Sequence, residues 1–120
     1  LASIDLFEAS FAACAAARRN MAALAPQVEA HVAWRDLLRE KVERRYDLIV
    51  MNPPFHQGRA AEPGIGEGMI RAASAALRPG GRLWLVANRG LPYETVLRTG
   101  FARHGEAARD ARFKVLWAVR

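Results

Sequence analysis

Tyr46-Asp47-Leu48-Ile49-Val50-Met51-Asn52-Pro53-Pro54-Phe55 is the stretch on which the fold of this chain turns. Its first six residues are nearly continuous apolar sequence, the pattern of a strand buried on both faces of a parallel sheet. Two prolines then end it, because neither carries an N–H for a ladder hydrogen bond. Asn52-Pro53-Pro54-Phe55 therefore stands at the carboxyl edge of a sheet, where open α/β folds bind ligands.

Outward from that strand, helix and strand patterns alternate. Ser3–Phe7 reads as a short strand ending at Glu8. Ser10–Leu24 reads as an Ala-rich helix with Cys14, Ala17, Met21 and Leu24 on one face, closed by Pro26. Ala30–Ala33 is a short extended stretch, and Leu37–Arg45 is a charged helical turn or loop over the surface. On the other side, His56–Gly66 has the Gly, Pro and polar content of a loop. Glu67–Leu77 is predicted helical, with Ile70, Ala73 and Leu77 on one side. Pro79-Gly80-Gly81 turns into a strand over Arg82–Asn88, and Tyr93–Thr99 is a short helix stopped by Gly100. Phe101–Ala108 and Arg112–Val119 read as an antiparallel hairpin turning near Arg109-Asp110-Ala111. The pattern is that of a single α/β domain over residues 1–120, with a mostly parallel sheet and a C-terminal hairpin. Trp34, Trp84 and Trp117 lie in apolar surroundings and are expected in the core. Gly64, Gly66 and Gly68 match a dinucleotide pattern only loosely, since no strand precedes them, and read as loop flexibility.

The tetrapeptide has residue types suited to methylating an amine. The lone pair of an exocyclic amine on a base is delocalised into the ring, so the amine is a poor nucleophile. The Asn52 side-chain carbonyl and the Pro53 backbone carbonyl could each accept one of its N–H groups, directing the lone pair at the methyl carbon of a sulfonium donor. The prolines hold those carbonyls rigidly. Phe55 offers a face for an extruded base, a stack worth ~1–3 kcal/mol against a flipping cost of a few. The attacked amine becomes acidic enough to lose its proton without a strong general base, so catalysis is mainly positioning. Asn and Pro are also common turn formers; the apolar strand before them and the loop behind them supply the context that the chemistry needs. Glu8, at the end of the first strand, suits the two hydroxyls of a ribose, and Asp36, after the next, could meet an adenine amine. His56, Arg59 and Arg89 are candidate contacts to the target nucleotide or its phosphates.

Bulk properties bound the remaining classes. Lys and Arg number 18 against 12 Asp and Glu, and Arg carries almost all the excess, which favours polyanions and equally fits an Arg-biased genome. No apolar run approaches the roughly 18 to 20 residues of a membrane span. Asp5 and Glu8 interrupt the first apolar stretch, so no signal peptide is read there. Cys14 stands alone, which fits a reducing cytoplasm. His31 and His104 lack partners at metal-ligand spacing, and no metal site is expected.

Taken together, Asn52-Pro53-Pro54-Phe55-His56-Gln57-Gly58, Val86-Ala87-Asn88 with Leu91-Pro92-Tyr93, and Arg112-Phe113-Lys114-Val115 resemble the bacterial ribosomal RNA guanine-N2 methyltransferases of the RsmC and RlmG type. The likeness runs from Ile4 to the C-terminus. It implies a class I, Rossmann-like methyltransferase fold with a seven-stranded sheet and S-adenosylmethionine as methyl donor. Glu8 and Asp36 would meet the donor's ribose and adenine, with Asn52 also counted on the cofactor side. Asn52, Pro53, Pro54 and Phe55 would hold the target guanine of ribosomal RNA or the small ribosomal subunit.

The family's first strand and Gly-rich loop, expected just before Ile4, have no counterpart here. Without that central strand, two half-sheets with unpaired inner edges are expected, and weak donor binding for the isolated chain. The catalytic domain would then be incomplete at its N-terminus. Rival readings are methylation of adenine N6 or of a protein glutamine, because the tetrapeptide serves there too, and a non-catalytic methyltransferase-like fragment.

Overall fold

The computed structural model describes residues 3–8, 11–24, 29–34, 45–53 and 63–120. The chain divides into two compact units, Leu1–Lys41 and Val42–Arg120. In the first, β1 (Ser3–Glu8) and β2 (Glu29–Trp34) form a parallel pair, with α1 (Phe11–Leu24) between them in sequence. Their register runs from Ser3 opposite Glu29 to Glu8 opposite Trp34, so both strands end level. On α1, Arg18, Arg19 and Asn20 are exposed, whereas Ala17 and Met21 are half-buried, following the 3.6-residue period of the sequence.

The second unit contains β3 (Tyr46–Met51), α2 (Pro63–Ala76), β4 (Leu77–Asn88), α3 (Tyr93–Gly100), β5 (Arg103–Arg109) and β6 (Phe113–Val119). The strand order is β3-β4-β6-β5, with β3 parallel to β4 and the other two pairs antiparallel. Among the described residues β1 pairs only with β2, and β3 only with β4, the division into two half-sheets that the sequence predicts. The terminal hairpin also forms as read. Asp110 Oδ1 accepts the backbone N–H groups of Arg112 and Phe113, both at 2.8 Å, which closes its turn.

One face of this second sheet carries the core. Leu83, Leu85 and Ala87 of β4 alternate inward, as do Lys114, Leu116 and Ala118 of β6. The apolar ones share a cluster with Ile70 and Ala73 of α2 and with Tyr93, Val96 and Leu97 of α3. Fully burying one such side chain contributes roughly 1.5–3 kcal/mol before entropy is counted.

Four expectations from sequence need correction. First, β3 is not buried on both faces. Ile49 and Met51 pack against the core, but Leu48 is 49% exposed and Val50 70% exposed. Among the described residues, α2 and α3 pack on one side of its sheet, and a run apolar at every position cannot reveal that. Second, Trp84 and Trp117 pair across β4 and β6 on that same uncovered face, as partners in register with Val50. Trp84 is 36% exposed and Trp117 half-buried, so neither lies in the core.

Third, α2 begins at Pro63, so the stretch from Pro63 to Gly66 is helical. Proline is favoured at a first helical position because its missing N–H has no partner there in any case. Gly64, Gly66 and Gly68 accordingly lie within the helix. At Gly66 the requirement is space: a Cβ would stand 1.9 Å from the Tyr93 hydroxyl oxygen. Fourth, β4 begins at Leu77, which pairs with Tyr46. The Pro79-Gly80-Gly81 turn is an irregularity between the pairs Tyr46–Leu77 and Leu48–Arg82. Gly80 has φ +80°, a conformation that side chains disfavour. The readings of Leu37–Arg44 and of Pro54–Glu62 lie outside the described residues.

Candidate active site

β3 and β4 are parallel neighbours, so both end at one carboxyl edge. Asn52 and Pro53 follow β3 directly; Asn52 is exposed and Pro53 buried. Ala87, two residues beyond Leu85 on β4, has Lys114 as its antiparallel partner. The segment from Arg89 to Pro92, which leaves β4, emerges at the same carboxyl edge as Asn52 and Pro53. α2 ends where β4 begins, so it has carried the chain back to the amino edge, and its first turn lies at the carboxyl edge. Asn52, Pro53, the 89–92 segment and the start of α2 therefore gather at one end of the sheet.

The 89–92 segment is closely tied. The Arg89 N–H donates to the Arg112 carbonyl at 2.9 Å, the Leu91 N–H to Asn88 at 3.1 Å, and the Tyr93 N–H to Leu91 at 2.9 Å. Beneath it, the Lys114 side chain is 3% exposed. It donates to the Leu91 carbonyl at 2.6 Å and to the Glu94 carboxylate at 2.8 and 2.9 Å. Lys114 belongs to the Arg112-Phe113-Lys114-Val115 motif, which by itself assigns it no role. The signal was present in its position: strand period 2 puts Lys114 on the face of Leu116 and Ala118, where an unpaired charge would be costly.

Tyr93 packs its ring on Gly66, is 1% exposed, and has no hydrogen-bond partner for its hydroxyl among the described residues. Burial, and then the Glu67 carboxylate, raise its pKa above the ordinary phenol value. Arg89 is exposed and donates to the Asp110 carbonyl at 3.1 Å, so it braces the hairpin turn. Pro54, Phe55, His56, Arg59 and Asp36 lie outside the described residues. Glu8 ends β1 in the other unit, level with Trp34. No metal-binding cluster of His, Cys, Asp or Glu occurs among the described residues, and no described helix is long and apolar enough to cross a membrane.

Parallel α/β pairs, an antiparallel terminal hairpin and an Asn-Pro turn at the carboxyl edge make up the class I methyltransferase fold. Residues 1–117 match the methyltransferase small domain family, and the chain belongs to it. The chain is 49% identical over 88 residues to a protein of Chromohalobacter salexigens named ribosomal RNA small subunit methyltransferase C, covering 73% of this chain and 26% of that protein. Its identity to the Yersinia enterocolitica protein of the same name is 38% over 114 residues, covering 95% and 32%. Among solved structures it superposes with a TM-score of 0.82 and 30% identity on the T. thermophilus 16S rRNA N2 G1207 methyltransferase (RsmC), in complex with AdoMet and guanosine. That match covers 98% of this chain and 31% of the other. The chain thus spans about a quarter to a third of the length of the relatives it matches.

Proposed function

We propose that this chain forms the acceptor side of a methyltransferase that moves a methyl group from S-adenosylmethionine to the exocyclic N2 amine of a guanine in ribosomal RNA. The observation that carries the reading is the Asn52-Pro53 turn at the end of β3. Its proline is buried and its asparagine exposed, at the edge where such sheets bind ligands. The likeness to a guanine-N2 methyltransferase solved with AdoMet and guanosine supports guanine over the other amines that this tetrapeptide can serve.

The residues present suit the donor in part. β1 ends in a carboxylate-bearing residue, Glu8, at the carboxyl end of a parallel pair, which fits the hydroxyls of a ribose. Asp36 is proposed on the adenine side. When bound, the donor supplies a methyl group on an electrophilic sulfonium. The chain's own residues do the rest by placement. The Asn52 Oδ1 and the Pro53 carbonyl accept the two N–H groups of the amine and turn its lone pair toward the methyl carbon. A buried proline carries its carbonyl on a φ fixed by its ring, so little freedom is lost on binding. Pro54 and Phe55 complete the pocket, with Phe55 stacking the base. His56, Arg59 and Arg89 are proposed contacts to the nucleotide and its phosphates. The proton leaves the methylated amine to water or to a carbonyl.

Asn52→Ala in the full-length protein tests this mechanism. Losing one of two amine acceptors should lower kcat at saturating S-adenosylmethionine by about 10²-fold or more, as misplacement of a reacting group does. Methyl transfer at near wild-type rate would show the mechanism to be wrong.

A further inference from the structure

Lys114 is a buried cation outside the residues proposed to touch substrate. A lysine ammonium has three N–H donors, and all three have acceptors here: the Leu91 carbonyl and the two Glu94 oxygens, at 2.6, 2.8 and 2.9 Å. Burying such a group is a poor way to gain stability, since a well-packed apolar side chain of similar length serves a core as well or better. A fully satisfied charge instead fixes where its partners sit. Those partners are the backbone carbonyl of the 89–92 segment and the first turn of α3. Lys114 lies level with Ala87, two residues beyond Leu85, the β4 partner of the last β3 residue, Met51.

We infer that Lys114, held by Glu94, is a positioning residue for methyl transfer: it pins the Leu91 carbonyl, and so the 89–92 segment that leaves the sheet at the same carboxyl edge as Asn52-Pro53. The inference rests on the proposed amine-methylating function of that turn. A lysine at this place sets geometry without touching the substrate. Its loss should therefore appear in the rate of the chemical step and leave affinity for the donor intact. Misplacement by about an ångström far from the reacting atoms suffices to cost ~10²-fold in rate.

The test is steady-state methyl transfer to ribosomal RNA by the full-length protein, comparing wild type with Lys114→Met, Glu94→Gln and the double variant. Donor affinity and thermal unfolding are measured on the same samples. Lys114→Met is expected to lose about 10-fold to 100-fold in kcat per folded molecule, with the KM for S-adenosylmethionine within about twofold and a lowered Tm, because Glu94 and the Leu91 carbonyl lose their donor. Glu94→Gln, which keeps one neutral acceptor, is expected to fall between the two. The double variant should be no slower than Lys114→Met, because the pair acts as one unit. A wild-type kcat in well-folded Lys114→Met overturns the inference, as does a loss of kcat that merely follows a lost folded fraction. If Lys114→Met fails to fold, a wild-type kcat in Glu94→Gln overturns it equally. A wild type that does not methylate guanine refutes the underlying function and the inference with it.

Discussion

Replacing Gly66 with Ala sets two effects of known sign against each other. Gly-to-Ala in a helix ordinarily stabilises by roughly 0.5–1 kcal/mol, because glycine loses more backbone freedom on folding. Here the added Cβ would lie 1.9 Å from the Tyr93 hydroxyl oxygen, 2.4 Å from Cζ and 2.8 Å from Cε1. Unstrained contact requires about 3.5 Å, so the ring would have to retreat by roughly 1.5 Å. Tyr93 is 1% exposed and belongs to the core cluster, which leaves it little room to do so. Overpacking of this kind costs about 1–3 kcal/mol, enough to outweigh the helix gain. The net expectation is a destabilisation of about 1–2 kcal/mol. Gly64, in the same helix, has nothing within 4 Å of its would-be Cβ, so Gly64→Ala should be neutral or stabilise by up to about 0.5 kcal/mol. Urea unfolding followed by tryptophan fluorescence measures both. If Gly66→Ala is as stable as wild type or more so, the Gly66–Tyr93 packing is refuted, and the glycines revert to a flexible stretch.

Two further outcomes concern the hairpin and the charged rim. Backbone N–H groups of Phe113 and then Arg112 hold the Asp110 carboxyl below its ordinary pKa. Its contribution is therefore present above the unfolded carboxylate value and lost as pH falls through the lower folded value. Unfolding measured from pH 6 down to pH 2 should show this loss in wild type and a shallower loss in Asp110→Ala; identical slopes would remove Asp110 from the acid response. Arg89→Ala should change stability by no more than about 0.5 kcal/mol, as exposed positions do. If Arg89 meets a phosphate, the variant should also reduce the slope of log affinity for RNA against log salt by about 1; an unchanged slope would take it off the RNA surface.

The parts of the fold legible in the sequence were those fixed by local chemistry. Tyr46–Met51 could be read as a strand because an apolar run is cut by two prolines, and the Asp110 turn because a short polar break separates two alternating segments. What escaped depended on partners distant in sequence. The glycines of α2 look like a loop until Tyr93 is seen lying against Gly66. Val50, Trp84 and Trp117 look like core because hydrophobicity does not say whether a second layer covers a sheet. Lys114 illustrates both cases: strand parity puts it on the buried face, but only the fold brings Glu94 and the Leu91 carbonyl to its three protons. In the candidate site, the role proposed for Asn52 and Pro53 rests on residue type, whereas the bracing of the 89–92 segment needs the fold to be seen.

The role proposed for Asn52-Pro53 is to present a guanine amine for methylation. Its most direct test is to incubate ribosomal RNA and small ribosomal subunits with the full-length protein and S-adenosylmethionine carrying a labelled methyl group, then digest to nucleosides and identify the labelled product by mass spectrometry. The expected product is N2-methylguanosine, formed by wild type and lost in Asn52→Ala. Label in N6-methyladenosine, label in a protein glutamine, or N2-methylguanosine formed undiminished by Asn52→Ala would contradict the account.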